Sequence, residues 1–323
     1  SRVRGLIFKT GEKAYTVTGY NMFLRDLNKI PFPAWDLVKL DHYALSPLMQ
    51  FQPGRSVNMI SSRGCVFSCI FCDHGVRGSG WRARSPENVV GEFKYLKSLG
   101  VRNIWLVDDL FTVSRQRVQE ICDLMVKEKL DMSWSCQARV DCVDEPTLQK
   151  MKEAGCKLIS YGVESGSDRI LAFIKKRLNK QKARDMIALT RKIGIDTRCF
   201  FMMGFPTETK EDIEETIRFS LELNPTFITY SLSTPLPNTE MWDLLKDKMS
   251  YDSWNQFNSF GADKLVYVPD GMTQEELMAL YKKAHRKFLL RPEWWMGRMK
   301  DIIQNPYNLV RYYRASSALQ LMA

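Results

Sequence analysis

Cys65, Cys69 and Cys72 stand at spacing C-x3-C-x2-C in the stretch Ser61-Ser62-Arg63-Gly64-Cys65-Val66-Phe67-Ser68-Cys69-Ile70-Phe71-Cys72. An apolar run, Val57 to Ile60, precedes them, so a short loop leaves a strand and one small object can touch all three thiols. Ligand count says what that object would be. Clusters that only carry electrons usually take four cysteines, and a structural zinc closes its shell with four Cys or His ligands. Three thiolates on a cubane 4Fe-4S cluster leave one iron open, and an open iron can chelate a second molecule. Two plainer readings stand beside this one. Free cysteines are commonly buried as small hydrophobes, and His74, two residues past Cys72, offers a zinc ligand. Three thiols in eight residues beside Gly64 make a poor core pattern, and no second C-x2-C pair accompanies them.

The pattern, with an aromatic residue, Phe71, before its last cysteine, resembles the signature of the radical S-adenosylmethionine (SAM) superfamily. The resemblance implies that Cys65, Cys69 and Cys72 hold a 4Fe-4S cluster whose fourth iron binds the amino and carboxylate groups of SAM. Reduction would then cleave the sulfonium to a 5'-deoxyadenosyl radical. It also implies an external electron donor such as flavodoxin or ferredoxin.

The elements that must position this loop follow from periodicity. From Arg55 onward short apolar runs alternate with amphipathic helices, giving six βα repeats. The expected strands are Val57 to Ser61, Asn103 to Val107, Met132 to Gln137, Lys157 to Val163, Thr197 to Met203 and Thr226 to Ser231. Ser85 as N-cap, Pro86 as first helical residue and Gly100 as the stop delimit the first helix, with Val89, Phe93 and Leu96 on its inner stripe. Such alternation predicts an α/β fold with a parallel sheet and right-handed crossovers. Six units match the partial (β/α)6 TIM-like barrel of the resembled family. We expect three regions: a lead-in hairpin and connector over 1–54, the barrel over 55–246, and a C-terminal helical extension over 247–323. In the lead-in, Gly11 separates two short strands, and the prolines of Pro31-Phe32-Pro33 predict an extended connector from Leu27 to Tyr43.

Chemistry in parallel barrels gathers at the carboxyl ends of the strands. The second strand ends in Asp108-Asp109, where the resembled family carries an acidic element that accepts from the SAM amino group. Either Asp is equally suited to cap the helix after Ser114. The third runs into Arg139 and Asp141, which can simply pair. The fourth ends in Glu164, matching a family Glu that binds the ribose hydroxyls; an ion pair with Lys157 or Arg169 is the plainer alternative. The fifth holds Arg198, a candidate clamp for the SAM carboxylate because guanidinium fits carboxylate in two-point fashion. It then enters Gly204-Phe205-Pro206-Thr207-Glu208-Thr209, which resembles the turn that brings backbone against adenine. No residue is assigned a catalytic role beyond cofactor binding.

The lead-in Pro31-Phe32-Pro33-Ala34-Trp35-Asp36, the segment Asp108 to Thr112 and the tail from Met272 to Pro292 narrow the resemblance further. They are similar to the branch that usually carries an N-terminal cobalamin domain and includes methyltransferases and the anaerobic ring cyclase of chlorophyll synthesis. The chain contains no Asp-x-His-x-x-Gly element and begins at Ser1 rather than Met. Either cobalamin comes from a domain outside this sequence, or the protein works without it. The expected reaction is hydrogen abstraction from an unactivated C-H of a small-molecule or lipid-like substrate, leading to methylation, rearrangement or cyclisation.

Composition bounds the rest. The 323 residues, 45% hydrophobic, carry a net charge of +10. No run of 18 apolar residues and no apolar leader occurs, so neither a spanning helix nor a secretion signal is expected. An oxygen-sensitive cluster needs a reducing compartment, which predicts the cytoplasm. From Tyr281 onward nine Lys or Arg face two acids, with Trp294, Trp295, Tyr307, Tyr312 and Tyr313 among them. A solvated helical face explains this stretch most simply; contact with a membrane surface, a cobalamin domain or, less readily, nucleic acid are the alternatives. An RNA-modifying enzyme and a non-catalytic cluster-binding protein are therefore the competing functions.

Overall fold

The computed structural model describes the chain apart from residues 1–2, 13, 20–22, 44, 74–79, 260–264 and 321–323, and apart from the side chains of 314–320. Ile7–Lys9 (β1) and Tyr15–Val17 (β2) form the expected antiparallel hairpin. The lead-in then departs from a purely extended path. Single 3-10 turns occupy Leu27–Lys29, Trp35–Leu37 and Leu40–His42, and Pro31 and Pro33 keep the first two from joining into a longer helix. Trp35 donates its indole N–H to Glu92 at 2.9 Å, which fixes this segment against the first helix of the barrel.

The barrel begins with Arg55–Met59 (β3), a small antiparallel pair Ser62–Arg63 (β4) and Arg82–Ala83 (β5), and Pro86–Ser98 (α1). Then follow Val101–Leu106 (β6), Arg115–Lys127 (α2), Ser133–Ala138 (β7), Glu145–Glu153 (α3), Cys156–Glu164 (β8), Asp168–Phe173 (α4) and Lys180–Ile193 (α5). Asp196–Met203 (β9), Lys210–Leu223 (α6), Phe227–Leu232 (β10) and Glu240–Leu245 (α7) complete it. Strands pair in parallel in the order β10-β9-β8-β7-β6-β3, so each repeat lies beside the next and the sheet stays open between β3 and β10. This is the expected six-stranded partial barrel.

Local chemistry sets the helix ends. Ser85, Ser114 and Asp144 accept from the backbone N–H of the third residue of α1, α2 and α3, and Gly194 closes α5 at φ +87°. Alternation then sorts the strands. Tyr161 of β8 reaches Thr190 of α5 at 2.9 Å, and Tyr230 of β10 reaches Ser220 of α6 at 2.5 Å. That face is convex and packs on the helices; Ser160, Gly162 and Arg198 take the concave face.

The amino-terminal end of the barrel is plugged. Leu45, Met49 and Phe51 from the lead-in pack with Leu158 and Phe227, flanked by Trp105 and Tyr312. Three C-terminal helices follow, Gln274–Leu289 (α8), Pro292–Gln304 (α9) and Tyr307–Gln320 (α10). Arg311 of α10 lies 4.3 Å over the Phe51 ring, donates to the Leu48 carbonyl at 3.1 Å and pairs with Asp196 at 3.5 Å. The two ends of the chain thus close the floor together. On α9, Trp295, Met296, Met299 and Ile303 stay exposed. Among the described residues no helix is long and apolar enough to cross a membrane.

Arg311→Ala removes charged hydrogen bonds that hold the floor, and the expected cost is about 1.5–3 kcal/mol in denaturant unfolding. Amide exchange should speed up over 45–51 and stay unchanged in β7; equal protection of 45–51 would show that Arg311 does not hold the plug.

Candidate active site

The cysteine loop is held from below by the end of β6. Asp108 is buried and accepts from Ser61 N at 2.7 Å, Ser61 Oγ at 2.6 Å and Ser62 Oγ at 2.6 Å. Arg117 of α2 donates to the Ser61 carbonyl at 3.0 Å and to Arg84 O at 2.8 Å, bringing a balancing charge to the same point. Asp109 accepts from Gly64 N at 2.8 Å, one residue before Cys65. Both acids therefore bind the mouth of the loop. Neither caps the following helix, whose N-cap is Ser114.

Above this clamp the loop is tied on two further sides. Ile70 donates to Ile174 O at 3.2 Å, just after α4, and accepts from Met241 N of α7 at 2.9 Å. Cys65 and Cys69 are half-buried and Cys72 is exposed. Although the Cys72 residue is exposed, neighbouring chain desolvates its thiol, and this, followed by the charges of Cys69, Cys65 and Asp109, pushes it up to about 11; desolvation also raises Cys69. Binding of iron would thus displace protons from these thiols. Among the described residues no three His, Cys, Asp or Glu side chains converge on a single-ion position. A cubane takes each thiolate on a different iron, and Cys65, Cys69 and Cys72 supply three thiols from one loop for such a group. His74 lies outside the described residues.

Phe71 packs on Phe205 with ring centroids 5.7 Å apart, which brings the cysteine loop against the Gly204-Phe205-Pro206 turn. Gly204 has φ +88°, a conformation costly for a side-chain-bearing residue. Glu208 holds that turn, accepting from Gly204 N at 2.6 Å and Phe205 N at 3.1 Å through one oxygen, while its other oxygen is buried without a partner. Burial raises the Glu208 carboxyl to about 8.

Glu164 ends β8 at a bulge, in the left-handed region at φ +73°. Its partner is neither Lys157 nor Arg169. Lys176, also buried, donates to Glu164 Oε1 at 2.8 Å, and Arg169 instead pairs with Asp212. A side chain at Gly162 would collide with both members of this pair, at 2.5 Å from the carboxylate and 2.8 Å from the ammonium. Glu164 Oε2 accepts no hydrogen bond from the described residues. Arg139 grips Asp141 through two bonds of 3.0 and 2.9 Å, lies 3.7 Å over the Phe67 ring of the cysteine loop, and donates to Lys176 O at 3.0 Å. The expected Arg139–Asp141 pair is present and also buttresses the loop.

Arg198 stands apart. It is the third residue of β9, five before the strand's carboxyl end at Met203, a span of about 16 Å at 3.3 Å per residue. The charge it senses is that of Arg311 in the floor, whereas the thiols sense Lys176, Arg139, Glu164 and Asp109. The expected role as a clamp on the SAM carboxylate therefore gains no support from where Arg198 sits. Sequence reasoning also passed over Lys176, hidden in the charge run Lys175-Lys176-Arg177, and Glu208, quoted within its motif without a role.

The family model of the Radical SAM superfamily matches residues 59–220, which span the cysteine loop, the Glu164 bulge and the Gly204 turn. The chain belongs to the radical SAM superfamily. Over 286 residues it is 32% identical to an uncharacterized methyltransferase, PH0819, of Pyrococcus horikoshii, covering 87% of this chain and 60% of the relative. It is 28% identical over 296 residues to the anaerobic magnesium-protoporphyrin IX monomethyl ester cyclase of Cereibacter sphaeroides, covering 90% of this chain and 47% of the cyclase. Among solved structures it resembles the radical SAM methyltransferase TsrM from Kitasatospora setae, solved with cobalamin and a [4Fe-4S] cluster. That match has a TM-score of 0.56 at 19% identity and covers 68% of this chain and 45% of TsrM; it shows the shared fold. The chain spans 60% and 47% of the lengths of the two sequence relatives.

Because the folded Glu208 carboxyl titrates above its ordinary 4.5, its protonation favours the fold. That contribution is whole below about pH 4.5 and is lost as pH rises through about 8. Glu208→Gln keeps an acceptor for the two amides, so the stability difference between wild type and the variant should fall across this window in cluster-free unfolding measurements. A difference independent of pH would show that Glu208 is ionised in the folded protein.

Proposed function

We propose that Cys65, Cys69 and Cys72 bind a 4Fe-4S cluster with one iron open to SAM, and that the protein abstracts hydrogen from an unactivated C-H of its substrate. The observation that carries this is the clamped three-thiol loop at the carboxyl ends of the parallel strands, with Glu164, Phe71 and the Gly204 turn beside it. When bound and reduced, the cluster supplies the electron that turns SAM into a 5'-deoxyadenosyl radical.

The chain's own residues then bind and orient. Asp109 holds the loop at Gly64 and offers carboxylate charge on the cysteine side for the SAM amino group. Asp108 is engaged by three donors and acts through the loop it fixes. Glu164 Oε2 is the acceptor for the ribose hydroxyls, kept in place by Lys176 on the other oxygen. Gly204 lets backbone approach the adenine, and Phe71 against Phe205 keeps water from that side. The electron comes from a partner such as a flavodoxin or ferredoxin.

The names of the relatives, a methyltransferase and a ring cyclase, support methylation or cyclisation as the outcome. Cobalamin, present in the TsrM structure, would reach this site from sequence outside the matched region.

With dithionite as reductant under anaerobic conditions, reconstituted protein should form 5'-deoxyadenosine, and Cys69→Ala should abolish both iron retention and product. S-adenosylhomocysteine formed alongside marks methyl transfer, and its absence marks rearrangement or cyclisation. Glu164→Gln should weaken SAM binding about tenfold, the effect of losing about 1.4 kcal/mol, with iron content unchanged. Iron that ignores added SAM, or a single zinc in its place, would overturn the proposal.

A further inference from the structure

On the concave face of the sheet, just above the floor, three hydrogen-bond donors have no partner among the described residues. Arg198 makes no hydrogen bond, ion pair or ring contact with any described residue. Ser160, its register neighbour on β8, has a buried Oγ without a partner at 1% residue exposure. The indole Nε1 of Trp105 is likewise buried and unpartnered, and its ring packs on the floor beside Leu158. Gln137 is the next residue in the same row, paired in register with Ser160.

These donors differ in kind from the groups around the thiols. Arg and Trp side chains can only donate, so whatever satisfies them must accept. The charge selects further. Desolvation and the like charge of Arg311 lower the Arg198 guanidinium to about 10, and no acid among the described residues offsets them. Glu164, the nearest carboxylate up the concave face, is engaged by Lys176; Asp196, at the floor, pairs with Arg311. Arg311 is itself occupied by Leu48 O and Asp196. Arg198 is half-buried, so the lumen still reaches its guanidinium, and a cation without a counter-charge in that position is completed best by an anion.

We infer that Arg198, Ser160 and Trp105 form an anion-binding site at the base of the barrel lumen, which takes a carboxylate or phosphate. On the reading proposed above for the mouth of the barrel, that anion belongs to the substrate. The substrate class is then a molecule carrying its acidic group well away from the carbon that loses hydrogen. Depth separates this site from the SAM carboxylate: Arg198 lies about 16 Å along its strand from the end that faces the cysteine loop.

The test uses the full chain without its cluster, with inorganic phosphate and glutarate as probes and chloride at matched ionic strength as control. Either probe should raise the unfolding midpoint saturably and shift the Trp105 indole N–H resonance, assigned by Trp105→Phe. Arg198→Met should weaken that response at least about tenfold, as loss of a two-point guanidinium contact requires, while unfolding no earlier than wild type in chloride. Should Arg198→Met not fold, the indole shift in wild type, reduced in Ser160→Ala, decides alone. No saturable shift in wild type, or one of full strength in the variants, overturns the site. In reconstituted protein, the change that SAM induces in the cluster spectrum should survive Arg198→Met; its loss would return Arg198 to the SAM carboxylate. Absence of that change in wild type, with the anion response intact, would count against the function proposed for the mouth of the barrel and not against this site.

Discussion

A carboxylate at the end of the second barrel strand decides where the cysteines can be. Asp108 gathers the amide and hydroxyl of Ser61 and the hydroxyl of Ser62, and Arg117 closes the same point from α2. A buried acid with three donors is a rigid joint, because each donor lost leaves charge without a partner in a medium that cannot replace it. Asp109 extends the joint by one step to Gly64. The loop that carries three thiols therefore leaves the sheet in one direction only, although most of it is neither helix nor strand.

From that joint the molecule acquires two unlike ends. At the carboxyl ends of the strands lie thiols, the Glu164–Lys176 pair, the Arg139 brace and the Gly204 turn. At the amino ends lies a plug assembled from both termini of the described chain, pinned by Arg311. An open six-stranded sheet would expose its concave face at both ends; the plug covers the amino end and leaves the cysteine end uncovered by it. Polar groups just above the plug then face a cul-de-sac. In such a place a half-buried guanidinium is informative, since no acid among the described residues compensates it.

How much of this could be read from the sequence depends on the range of each signal. Cysteine spacing and the cap at Ser85 act over three or four residues and are where the sequence placed them, whereas the cap of α2 is Ser114 rather than either Asp of the preceding strand end. The order of strands follows from alternation alone. What the sequence hid is depth and partner choice. Nothing in the string Thr197-Arg198-Cys199 tells how far along the barrel axis Arg198 lies, since strand periodicity reports only the face. Lys176 was invisible because Lys175-Lys176-Arg177 has the composition of a solvated surface, while a bulge at Glu164 and the missing side chain of Gly162 turn its middle member inward. Asp108 was legible as important while its loop partners were not, because a carboxylate that binds a ligand and one that binds its own loop look alike in one dimension.

Everything rests on one iron left without a thiolate and open to the methionine end of SAM. Electron-nuclear double resonance on the reduced, reconstituted protein tests this directly, using SAM labelled with 15N in its amino group and 17O in its carboxylate. The account predicts hyperfine coupling of both nuclei to the cluster spin. A cluster signal that shows neither coupling, with SAM present in excess, would contradict it.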